Sequence, residues 1–132
     1  MKQVWVEFSA EEEKPLVFAA WVAKTPEQRG RGFQGVCPGL VTERSLLFVF
    51  PAPVKANFHM SGVALPLDIV FIDVFRQVIN IQRMALQEYD RLTTYYRSDT
   101  VFQFALETAA GRLDQLRRNP HLWRMRVSNR NQ

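Results

Sequence analysis

The chain has 132 residues, a net charge of +4 and 47% apolar against 23% charged residues, a balance that excludes a disordered chain and fits one soluble globular domain over residues 1–132. Its single cysteine, Cys37, excludes an intramolecular disulfide. No apolar core precedes Glu7 and no apolar run approaches the ~20 residues that cross a bilayer, so a non-exported protein, cytoplasmic or assembly-associated, with no membrane insertion is expected.

Val4, Val6 and Phe8 alternate with polar or larger neighbours, the period of a half-buried strand. The acidic segment Glu11–Glu13 closes at Pro15 and reads as a solvated turn. Leu16 to Ala23 is apolar throughout and pairs back on the first strand. Thr25-Pro26-Glu27-Gln28 is a helix start: Thr25 caps, Pro26 suits the first helical position and Gln28 completes a capping box. Gly30, Gly32 and Gly35 keep that helix short, and Cys37-Pro38-Gly39 marks an irregular connection.

Ser45 to Phe50 is predicted as a buried strand stopped by Pro51 and Pro53. Val54 to Met60 is a second extended piece, Leu67 to Val74 the central strand, and Val78 to Met84 the next. Val101 to Leu106 is a further strand. Thr108 to Arg118 carries Ala109, Leu113 and Leu116 at helical spacing, which predicts a short helix ended by Asn119-Pro120. Trp123, Met125 and Val127 alternate with Arg124 and Arg126 in a last strand. Residues 128–132 are a polar tail expected to fray. Many short strands and two short helices predict a mainly-β sandwich or barrel.

Several stretches carry a resemblance: Ala23 to Gly35, Leu46 to Pro51, Phe58 to Asp73, Tyr96-Arg97-Ser98 and Glu107 to Gly111. Over about residues 16–127 they resemble, in order and spacing, domain-of-unknown-function family 192. The resemblance implies a compact jelly-roll-like β-sandwich with a short helix after the second strand. The activity of that family is unsettled, so the resemblance assigns none. Ser61 stands where the family commonly has a basic side chain, and the turn at Phe75-Arg76 lacks its usual glycine.

No strong catalytic or cofactor signature is present. Cys37 and His59 match no cysteine-enzyme pattern, and Cys37 reads as an inert thiol. His59, His121 and Cys37 lack metal-ligand spacing, and no calcium or phosphate loop occurs, so no metal or cofactor is expected. Asp68 precedes an apolar run and reads as a buried carboxylate held by arginine or backbone donors that pin the Gly62–Pro66 loop. Phe58, His59, Ser61 and Asp68 are the candidate lining of a small-ligand pocket.

From Gly111 onward six arginines face a single acid, Asp114. Arg112, Arg117, Arg118, Arg124 and Arg126 are the candidate partner-binding face. The leading expectation is a non-catalytic binding or assembly module, an accessory subunit docking on a larger protein assembly such as a virion or other multi-subunit particle. The alternatives are a small-ligand-binding protein or enzyme with a pocket near His59 and Asp68, and a nucleic-acid-associated protein using the Arg-rich face.

Overall fold

The computed structural model describes residues 1–129. Its elements are β1 (Gln3–Ser9), β2 (Leu16–Ala23), α1 (Pro26–Arg31), α2 (Pro38–Glu43), β3 (Ser45–Val54), β4 (Leu67–Ile72), β5 (Val78–Met84), β6 (Phe102–Ala109), α3 (Asp114–Arg117) and β7 (Arg124–Ser128), with a 3-10 turn at Pro120–Leu122. The chain is mainly β. All seven strands form one sheet in the order β5-β4-β6-β3-β2-β1-β7. The β2–β3 pair is parallel and the others are antiparallel. A parallel pair needs a crossover, and α1 and α2 supply it.

The sheet curls into a half-barrel whose two edge strands meet at one end. Gln77, just before β5, bridges Arg124 of β7. Val78 N–H donates to Trp123 O at 3.1 Å and Met125 N–H to Arg76 O at 2.8 Å. Inside the curl, Val6, Phe8, Leu47, Val70, Ile72, Leu106, Trp123 and Met125 pack into one core. A second core lies on the other face, where Leu46, Phe48, Ile69, Phe71, Phe102 and Ala105 are covered by Phe33, Val41, Phe58 and Met60. Every residue of β4 is therefore buried. This explains why its sequence, Leu-Asp-Ile-Val-Phe-Ile, shows no alternation apart from Asp68.

Three larger departures from the sequence reading stand beside small shifts of strand ends, such as β4 ending at Ile72 and not Val74. β3 does not stop at Phe50 but continues through Pro51 and Pro53 to Val54. The ladder slips there, with Val49 opposite Phe104 and Val54 opposite Phe102. The prolines fall in this exposed bulge, where no ladder N–H is required. Gln103 Nε2 donates to Phe50 O at 3.1 Å and takes up one freed carbonyl. Beyond Val54 the expected second extended piece reduces to a bridge between Phe58 and Tyr96.

The helix expected over Thr108–Arg118 is the second difference. Thr108 and Ala109 instead extend β6, paired with Asp68 and Leu67 of β4. The chain then turns at Gly111, whose φ of 97° favours glycine, and only Asp114–Arg117 is helical. Leu113 and Leu116 are buried as the helical spacing required, but in a turn and one helical turn beyond it. The third difference is α2, over a stretch read as irregular. Pro38 opens it at the first helical position and Val41 is its buried anchor. Three α-helices thus stand where two were expected. Ser128, assigned to the polar tail, is the last residue of β7, opposite Trp5. Arg130 and the end of that tail lie outside the described residues.

Candidate ligand cleft

The capping box predicted at Thr25 is present. Thr25 Oγ1 accepts from Gln28 N–H at 3.1 Å, and Gln28 Oε1 accepts from Thr25 N–H at 3.3 Å. This fixes the start of α1 after β2. Arg29 then anchors the helix to the sheet: its guanidinium donates to Lys24 O and, at 3.1 Å, to Val49 O, and lies 4.8 Å over the Phe50 ring. At the other end Gly32, with φ 53°, turns the chain out of the helix. A Cβ at Gly32 would lie 3.6 Å from the Phe48 ring and 4.0 Å from Glu107 Oε1, so the bare backbone passes close over that carboxyl.

The 56–66 segment forms the facing wall. Gly35 N–H donates to Gly62 O at 3.0 Å and ties the two loops together. Phe58 stands at the centre of an edge-to-face aromatic cluster with Phe48, Phe50 and Phe71. Between these walls lies a cleft of about 190 Å³, lined by Arg29, Gly32, Phe33, Gln34, Phe48, Phe50, Asn57, Phe58, His59 and Glu107 among others.

Glu107 is the feature that composition did not reveal. It lies on central strand β6, between Leu46 of β3 and Ile69 of β4, and is only 4% exposed. Among the described residues no donor hydrogen-bonds or ion-pairs its carboxyl. Burial pushes its pKa up from 4.5 to about 8, so the group is largely protonated at neutral pH. Its signal in the sequence is an acid set inside Phe-Gln-Phe-Ala-Leu-Glu-Thr-Ala, where each neighbour suits a buried strand.

The anticipated site residues separate. Phe58 and His59 line the cleft. His59 Nδ1 accepts from Ser61 N–H at 3.2 Å, which leaves Nε2 to carry the proton of the neutral ring. Ser61 therefore holds the loop through its backbone and is not part of the lining. Asp68 lies on the opposite face of the sheet from Glu107, one ladder step away, so it cannot share a pocket with His59. Asp68 is fully buried and accepts from Arg83 Nε at 2.7 Å, Arg117 at 2.8 Å and Gly111 N–H at 2.8 Å. It pins the β6–α3 turn, not the Gly62–Pro66 loop as expected. Burial works to raise its pKa; the Arg83 hydrogen bond, the Gly111 N–H and the charges of Arg117 and Arg83 outweigh this and lower it.

Four of the five arginines are engaged, in different places. Arg112 donates to Thr42 O and lies 5.0 Å over the Phe18 ring. Arg117 holds Asp68 and reaches Asp114. Arg124 donates to Phe75 O at 2.7 Å, and Arg126 pairs with Glu7. Arg118 lies in the turn that follows α3. Among the described residues no three His, Cys, Asp or Glu side chains are grouped to hold a metal ion, and no helix is long and apolar enough to cross a membrane.

With the fold and this cleft defined, comparison with known proteins places the chain. The chain is a small mainly-β domain of half-barrel type with an α1–α2 crossover. The chain belongs to domain-of-unknown-function family 192, described as Uncharacterized ACR, whose model matches residues 7–120. No curated protein matches the chain. It is similar in fold to a protein of Sinorhizobium meliloti 1021 provisionally assigned as a transcription regulator. That match has 20% identity and a TM-score of 0.81, and covers 96% of this chain and 94% of that one. It is also similar to a protein of unknown function from Novosphingobium aromaticivorans DSM 12444. Here the identity is 24% and the TM-score 0.78, with 94% and 84% of the two chains covered.

Proposed function

We propose that this domain binds a small ligand in the cleft between α1 and the 56–66 segment. The observation that carries the reading is Glu107. A carboxyl buried without a donor costs several kcal/mol in principle, and the fold offers it no structural partner of the kind it gives Asp68. Perturbed carboxyls of this sort concentrate at binding and active sites. The cleft is concave, has aromatic walls and carries a few polar groups beside them, as small-molecule sites do. The reading is tested by titrating the isotope-labelled protein with small amine, guanidine, amide and carboxylate fragments and following its backbone amides. At least one class is expected to shift residues 29–34, 57–59 and 107 selectively. Silence from all four classes at saturating concentration would end the reading.

The docking alternative has one observation in its favour. The 85–101 segment leaves Leu86, Tyr89, Leu92 and Tyr95 exposed, with Tyr89 and Leu92 almost wholly in solvent. Large apolar side chains grouped outside the core suit a protein partner. An accessory-subunit role predicts that the protein migrates within a larger complex in lysate of its own source. Migration as the 15.4 kDa chain alone would remove that role. The Arg-rich alternative has less in its favour as a single nucleic-acid surface, because Arg112, Arg117, Arg124 and Arg126 are engaged with other groups of the fold.

A further inference from the structure

Given a small-ligand site, the chemistry of the cleft narrows the class of ligand it would hold, and the narrowing rests on that reading. Glu107 is the only acid among the lining residues. The charged and titratable groups around it are Arg29 and Arg31 from α1 and His59 from the facing loop. The flanking strands present Leu46 and Ile69. Arg29 spends one guanidinium nitrogen on two backbone carbonyls and lies over the Phe50 ring, and Arg31 is exposed to solvent. An anionic ligand would be repelled by Glu107 once that carboxyl ionises. A cationic nitrogen would meet the ionised carboxyl as a counter-ion beside a side chain only 4% exposed.

The aromatic rings agree with this. Phe33, Phe48, Phe50 and Phe58 line the space, and aromatic side chains suit ammonium and guanidinium groups, as Arg29 over the Phe50 ring already illustrates. The size agrees as well. The cleft offers about 190 Å³, well above what a single water needs, so an ammonium or guanidinium head group can enter.

We propose that the cleft is a receptor for a small organic cation, an ammonium or guanidinium head group, with ionised Glu107 as its counter-ion. Binding then requires the carboxyl to give up its proton to solvent. The ligand keeps its charge across the range, and the competent fraction of protein is the ionised fraction of Glu107. With that pKa at about 8, affinity should rise about tenfold for each pH unit gained below it and level off above it.

The test is to measure the dissociation constants of methylammonium and guanidinium by amide chemical-shift titration from mildly acidic to mildly alkaline pH, with acetate and acetamide as controls. The expected result is cation binding with that tenfold slope. The slope should vanish in Glu107→Gln. Acetamide or acetate binding in place of the cations, or cation affinity independent of pH, would overturn the cation assignment and leave the cleft as a ligand site. Silence from cations and controls alike would overturn both. Because the slope is read on the wild-type protein, the assignment does not depend on any variant folding.

Discussion

Asp68 and Glu107 sit one ladder step apart on opposite faces of the β4–β6 pair, and each meets burial differently. Asp68 is ionised and surrounded by donors: two guanidinium groups and a turn N–H. Glu107 has none and stays protonated over most of the neutral range. The first arrangement is structural. Replacing Asp68 by Asn would leave Arg83 and Arg117 without their counter-ion and weaken the grip on Gly111. Breaking a buried pair costs roughly 3–5 kcal/mol, and the partial exposure of both arginines places this case at about 3 kcal/mol or less. Denaturant midpoints of wild type and Asp68→Asn measure it; an unchanged midpoint would mean that the turn is held by Leu113 and Leu116 alone. Arg76 shows a different adjustment. It takes a φ of 70° in the β4–β5 turn where glycine is easier. Asp73 Oδ1 accepts from the N–H groups of Phe75 and Gln77 at 2.9 Å, and the Arg76 guanidinium lies 4.5 Å over Phe104. These contacts hold the turn in place of a glycine.

The strands and helices place the cleft by a division of labour. β3 and β6 supply its floor through Phe48, Phe50 and Glu107. The β2–β3 crossover supplies the roof, because a parallel connection must leave the sheet and return to it. The capping box fixes where α1 begins and Gly32 fixes where it ends, so the backbone passes within van der Waals reach of Phe48 and the Glu107 carboxyl. The bulge at Pro51–Pro53 also matters: the register change leaves Phe50 and Phe102 on the same face, ring centroids 5.5 Å apart and nearly perpendicular, beside Phe58. An unbroken ladder would have continued the alternation and separated them.

The two carboxyls together set the pH response of the folded protein. Glu107 has a folded pKa of about 8, above its unfolded 4.5. The folded state therefore binds the proton more tightly, and stability falls as pH rises from about 4.5 to about 8, by up to ~1.4 kcal/mol per unit. Asp68 is lowered from 3.8. Its contribution is present above that value and is lost as pH falls through the lower folded pKa. These two groups place the stability maximum in the mildly acidic range. Glu107→Gln should remove the alkaline decline: the variant is expected to match wild type near pH 5 and to exceed it above pH 8. Urea unfolding across that range checks this, and parallel curves for the two proteins would contradict it. The same ladder that buries both carboxyls joins distant parts of the chain, and the two edges of the sheet meet at Gln77 and Arg124.

The mainly-β class, most strand positions, the capping box at Thr25 and the inward Trp123–Met125 alternation were legible in the amino-acid order. Each follows from local period or local hydrogen bonding. β2 and β5 carry the predicted limits because their ends coincide with turn residues. The length of β6 was not legible. Ala109, Leu113 and Leu116 satisfy helical spacing, but the strand partner that claims Thr108 and Ala109 lies some forty residues earlier, at Leu67 and Asp68. The cleft was half legible. Phe58 and His59 belong to it, whereas Asp68 and Glu107 could not be assigned to a face until β4 and β6 were set in register. Period two says that neighbours point apart; it does not say which side will be roofed by a crossover loop and which will be closed by the curl of the sheet. That choice rests on long-range pairing, and it leaves one buried acid paired and the other bare.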